Sequence, residues 1–159
     1  TLLTGGFGVG AELGHVIVEP GGRLCGCGSR GCLEQYASGT ALVRHASELL
    51  DRPVSAEELR VLLEAGDARA HEALSLVGVY IGRAVVTLVA VLDPSVVVIG
   101  GGVSDAGAAL TDPIEKEFAQ SYGPLAERPV PDIVTAALRN TAGVVGAAAL
   151  ARAALREAR

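Results

Sequence analysis

Four consecutive branched apolar residues, Val96-Val97-Val98-Ile99, stand between a helix stop at Asp93-Pro94 and three glycines, Gly100-Gly101-Gly102. No other stretch constrains the fold so tightly. A short apolar run closed by Pro on one side and Gly on the other predicts a strand covered on both faces, as in parallel sheets flanked by helices. Its flanks agree. Upstream, Asp67 can cap a helix running from Ala68 to about Leu92, whose second half, 84–92, is apolar nearly all round and is predicted to be buried. Downstream the pattern predicts a helix within 106–120, a proline-punctuated loop, a strand over 133–138 and an alanine-rich helix over 142–157. Earlier, Ser38 or Thr40 can cap a helix to about Leu50, and Ser55 with Glu58 forms a capping-box pattern for another to about Ala65. Helix, strand, glycine loop, helix, strand, helix is the order of an α/β layer with crossover connections.

Composition supports that class. The chain has 159 residues, half of them apolar, enough for one domain with its own core. Only five side chains are aromatic, so the core must be built from Ala, Val, Leu and Ile, which suits helices packed on parallel strands. The formal net charge is -5 and no stretch is rich in Lys or Arg, which argues against a nucleic-acid face and for a small-molecule partner. No apolar run of membrane-spanning length escapes interruption by Gly, Asp, Arg or Pro, so no membrane partner is expected and the cytoplasm is the expected compartment. With no methionine and Thr1 in first place, the sequence reads as a processed chain or a fragment.

All three cysteines fall in one short glycine-rich stretch, residues 15–34, together with His15. Cys25, Cys27 and Cys32 with His15 supply three thiolates and one imidazole, a closed tetrahedral zinc set with no open position for chemistry. The interspersed glycines let the backbone fold around a common centre, and the metal would stabilise a loop that has little apolar side chain of its own. A redox pair would more naturally be C-x-x-C at a helix start, and an odd cysteine count fits a disulfide framework poorly. A DNA-binding zinc finger would need a helical ligand pair and nearby basic residues, and both are missing. Glu12 and Glu34 flank the cluster closely. Zinc closure would bring both carboxylates near His15, where they could accept hydrogen bonds from a polyol, although an isolated Glu is most often a solvated surface charge.

The run G-x-G-A-E-L-G-H (Gly8 to His15), followed by C-G-C-G-S-R-G-C-L-E (Cys25 to Glu34) and Y-A-S-G (Tyr36 to Gly39), closely resembles the signature of the repressor, open-reading-frame and kinase family, known as ROK. The resemblance continues through L-D-P-S-V-V-V-I-G-G-G-V-S (Leu92 to Ser104) to A-G-V-V-G-A-A (Ala142 to Ala148) and is nearest to glucokinases of the actinobacterial type. It implies an α/β fold, the carboxyl-terminal lobe of an actin-like ATPase (ribonuclease H-like) sugar kinase with an inserted structural zinc loop. It further implies that His15, Cys25, Cys27 and Cys32 bind zinc. Glu12, His15 and Glu34 would contact sugar hydroxyls, His15 using one ring nitrogen for each role.

By itself Gly100-Gly101-Gly102 is a weak motif, neither G-x-G-x-x-G nor a P-loop. The resemblance places this loop beside the adenosine of ATP, with Gly101 and Gly102 as nucleotide contacts. It also implies elements that do not precede Thr1: an amino-terminal lobe, an Asp-containing phosphate loop for ATP and Mg²⁺, and an aspartate general base. The expectation is therefore an incomplete lobe over 1–159, inactive alone, whose parent phosphorylates glucose as a dimer or tetramer. N-acetylmannosamine, fructose or allose are alternative substrates. The effector half of a sugar-responsive repressor, with its helix-turn-helix ahead of Thr1, is the rival function.

Overall fold

The computed structural model describes residues 3, 5–122 and 129–157. Part of the proline-punctuated loop and part of the opening segment 1–6 therefore lie outside the described residues. Among the described residues, five helices and two strands follow in the order α1 (Gly39–Leu50), α2 (Ala56–Glu64), α3 (Ala68–Leu92), β1 (Val96–Ile99), α4 (Ala108–Tyr122), β2 (Asp132–Thr135) and α5 (Ala142–Glu157). Ahead of them lies an irregular segment with two 3-10 turns, Leu13–His15 and Leu33–Gln35.

Local chemistry sets the helix boundaries. Ser38, rather than Thr40, caps α1 by accepting from the Ala41 N–H, and Asp67 caps α3 by accepting from the N–H groups of Arg69 and Ala70. Ser55 caps α2 from the Glu58 N–H, but the carboxylate of Glu58 pairs with Arg52 at 2.7 Å, so only half of the capping box forms. Asp51 and Asp93 end α1 and α3 in the left-handed conformation, which short polar side chains tolerate.

The core lies where α3 crosses α1 and α4. Leu74, Val77, Val85, Leu110, Ile114 and Phe118 are its largest fully buried side chains. Gly78 and Gly82, one turn apart on α3, let α4 approach closely: a Cβ on Gly78 would stand 2.9 Å from Pro113, and one on Gly82 would stand 2.8 Å from the side chain of Glu117. β1 and β2 pair in parallel, Val96 opposite Asp132 through Ile99 opposite Thr135, with α4 as the crossover.

Three expectations are corrected. β1 is covered on one face only among the described residues: Val97 and Ile99 pack on the core while Val96 and Val98 are exposed. The end of α3 is likewise one-sided, with Ala84, Val85 and Val89 buried and Val91 and Leu92 open to solvent. The reason is common to both: Val85, Val89, Val97 and Ile99 meet one and the same hydrophobic cluster, and the apolar side chains pointing the other way find no described partner. By length and composition α3 could cross a membrane, yet nine of its residues are buried in this core. β2 also ends at Thr135 rather than Leu138, and the chain turns at Arg139–Thr141 into α5.

Candidate functional site

The irregular segment is a small antiparallel arrangement lying against α1 and α3. Ile17 bridges Cys32 and Leu24 bridges Arg30, so two nested pairings fold residues 16–33 back on themselves. Gly31 sits at their junction: its carbonyl accepts from the N–H groups of Val18 and Glu19, and its own N–H donates to Arg23. Its φ of +84° is left-handed, and a Cβ there would overlap the Glu19 carbonyl. Between the arms, Cys25 N–H donates to Ser29 and Gly28 N–H to Cys25, a tight turn that carries Cys25 and Cys27 back toward Cys32.

This folding brings His15, Cys25, Cys27 and Cys32 together, with one ligand atom from each lying within 4.8 Å of the others. Cys25 Sγ is 3.7 Å from His15 Nδ1 and Cys27 Sγ is 3.6 Å from Cys32 Sγ. A tetrahedron with bonds of about 2.3 Å has edges near ~3.8 Å, so the quartet fits a zinc ion in size as well as in donor chemistry. The thiols are not equivalent. Hydrogen bonds from the backbone and side chain of Ser29 lower the Cys27 thiol to about 7, whereas burial, reinforced by the Cys27 and Cys25 sulfurs, pushes Cys32 up to about 12. A cation at the centre would offset what holds the proton on Cys32, and its binding would release that proton.

The other ring nitrogen of His15 faces away from the sulfurs: Nε2 is 4.0 Å from Glu12 Oε2. The two 3-10 turns lie side by side, so that a Cβ on Gly14 would stand 3.7 Å from Glu34 Cβ. Glu12 and His15 are thus paired and Glu34 lies against Gly14 beside them, both carboxylates exposed, while Cys25 and Cys32 are buried and Cys27 is exposed. The Glu12 side chain is 70% exposed and that of His15 38%. Such a grouping offers two carboxylate acceptors and an imidazole to a ligand rich in hydroxyls.

Gly101 and Gly102 lie elsewhere, at the carboxyl end of β1, where open α/β sheets place ligands. Gly101 has φ +87°, and the chain continues into a 3-10 turn, Gly102–Ala106. The buried Ser104 hydroxyl holds this turn by donating to the Gly101 carbonyl at 2.6 Å. Gly102 and Val103 border a cavity of ≈ 640 Å³ whose apolar wall includes Leu42, Leu59 and Leu74 and whose rim carries Arg60.

Several residues that serve these sites have no local pattern that gives away their role. Ser104 closes the run that begins at Leu92, two residues after Gly102, but the far wall of the cavity comes from α1, α2 and α3, distant in sequence. The cysteine loop is fastened by Arg23 to Glu48 of α1 at 2.7 Å, and by Glu19 to Arg83 of α3 at 3.2 Å. In the sequence Tyr36 stands out only as one letter of Y-A-S-G.

The ROK family profile matches residues 1–154. The glucokinase of Streptomyces coelicolor is 40% identical over 170 aligned residues, which cover 95% of this chain and 53% of the relative. An N-acetylmannosamine kinase of Yersinia pseudotuberculosis is 37% identical, covering 97% of this chain and 51% of the relative. Among solved structures, the ROK family glucokinase from Streptomyces griseus in complex with glucose and AMPPNP superposes with a TM-score of 0.85 at 39% identity, over 96% of this chain and 54% of that one. The chain thus spans about half the length of the relatives it matches. With a family match over nearly its whole length and the fold of a ROK glucokinase, this chain belongs to the ROK family.

Proposed function

We propose that this chain is the carboxyl-terminal lobe of an ATP-dependent sugar kinase and that it supplies the sugar grip. The observation that carries this is the grouping of Glu12, His15 and Glu34 at a Cys3His cluster. Glu12 and Glu34 accept hydrogen bonds from sugar hydroxyls, and His15 Nε2 makes a third contact while Nδ1 faces the sulfurs. His15, Cys25, Cys27 and Cys32 hold a structural zinc, which supplies rigidity and no open coordination position. A grip fixed in this way orders the sugar with little further loss of side-chain entropy.

Gly101 and Gly102 let the nucleotide approach the backbone, and the apolar cavity beyond them takes the adenosine. The sugar hydroxyl oxygen attacks the γ-phosphorus of Mg-ATP, the bond to the β,γ-bridging oxygen breaks and ADP leaves. The hydroxyl proton passes to a base in the amino-terminal lobe, an aspartate by family resemblance. Glucose is the favoured substrate because the S. coelicolor and S. griseus relatives are glucokinases. N-acetylmannosamine is the second reading, favoured by the Yersinia relative.

The test is a coupled ADP-release assay on the full-length protein with glucose and with N-acetylmannosamine. Glu12→Gln and Glu34→Gln should each raise KM for the sugar by about tenfold or more, since a hydrogen bond to a charged group contributes ~1.5–3 kcal/mol. Turnover of N-acetylmannosamine alone would reassign the substrate. Sugar binding without turnover would assign a sensor rather than a kinase, and neither binding nor turnover would overturn the proposal.

A further inference from the structure

We infer that Tyr36 is a positioning residue for the metal cluster: its phenol oxygen locks the arm that carries Cys25 to the arm that carries Cys32. Tyr36 lies four residues beyond Cys32, and its oxygen accepts from the N–H of Arg23, two residues before Cys25, at 2.7 Å. Arg23 in turn accepts from the Gly31 N–H at 2.8 Å, so one residue is tied on its two backbone sides. The bond from Tyr36 closes a ring of chain that contains Cys25, Cys27 and Cys32 and does not depend on contacts between their sulfurs.

The strut is itself rigid. Tyr36 is 5% exposed, its ring lies 4.5 Å from that of Tyr80 on α3, and its carbonyl accepts from His45 Nε2 of α1 at 3.2 Å. Gly22 completes the fit, because a Cβ there would overlap the Tyr36 oxygen. The helical core therefore sets where Arg23 lies, and Arg23 sets where the ligand hairpin begins. Groups outside the ligand sphere tune metal affinity in this way by fixing the ligands' positions before the metal arrives.

This inference rests on the metal reading of the cluster, and the experiment separates the two. Cobalt(II) is titrated into the metal-stripped full-length protein, wild type against Tyr36→Phe, with Tyr80→Phe as a control that keeps the ring pair but changes a phenol for which no hydrogen bond is found among the described residues. Tyr36→Phe retains the ring stack and loses one hydrogen bond, so cobalt affinity should fall about five- to tenfold. At saturation its thiolate-to-cobalt absorption should match that of wild type, because the four ligands are unchanged. The Tyr80→Phe protein should bind as wild type does. Equal affinity in Tyr36→Phe and wild type overturns the inference and leaves the metal reading standing, as does an equal loss in both variants, which would mark general packing. A wild type that binds no cobalt overturns both.

Discussion

Gly31→Ala tests the architecture of the cysteine loop, because two separable costs meet at that position. The first is conformational. At φ +84° a Cβ costs about 1–2 kcal/mol. The second is steric: the new methyl would overlap the Glu19 carbonyl oxygen and stand 2.7 Å from the carbonyl carbon, so residue 19 must move. That movement strains the bonds from Val18 and Glu19 to the Gly31 carbonyl, each contributing ~1 kcal/mol. Gly28→Ala isolates the first cost, since Gly28 has φ +90° and nothing within 4 Å of its would-be Cβ. The expected losses are about 1–2 kcal/mol for Gly28→Ala and about 3–4 kcal/mol for Gly31→Ala. Guanidinium unfolding of the zinc-loaded full-length protein gives the difference, and zinc content after gel filtration shows whether the cluster survives. Gly31→Ala should lose metal and Gly28→Ala should keep it. Two variants with the same stability and the same zinc content would refute the close packing of Glu19 on Gly31.

Two further outcomes follow from the core and its buried histidine. Phe118, 2% exposed and stacked on Tyr122 at 4.7 Å, should cost about 3–5 kcal/mol on replacement by Ala, measured as a shift in denaturant midpoint at unchanged slope. Burial holds His45 below the ordinary histidine pKa, with Arg44 and Arg23 acting in the same direction and the Tyr36 carbonyl and Glu48 opposing them. Because the folded state binds that proton less readily than the unfolded chain, its contribution is fully present above about pH 6.5 and is lost as pH falls toward the folded pKa. Thermal unfolding across that window should therefore show a shallower decline for His45→Gln than for wild type, and parallel declines would remove His45 as the cause.

Much of the outline is legible in the sequence because it rests on neighbours along the chain. Ser38, Ser55 and Asp67 cap helices through hydrogen bonds to residues two or three positions ahead, so their side-chain chemistry alone marks the starts. The cluster of His15, Cys25, Cys27 and Cys32 is legible for a similar reason: donor type and short spacing restrict what such a set can hold. Burial is not legible in the same way. Val96 and Val98 look as apolar as Val97 and Ile99, and only the side on which α4 packs decides which pair reaches the core.

The amino-acid sequence alone therefore determined the α/β order, the helix starts and the grouping of His15 with the three cysteines, all of which depend on residue type at short range. The tertiary structure alone decided the rest. It turned His15 so that one nitrogen meets Cys25 and the other meets Glu12. It also brought Tyr80 and Arg83 of α3 against a loop more than forty residues earlier in the chain. Contacts of that kind depend on where α1, α3 and α4 pack against one another, and no local pattern of residues records that arrangement.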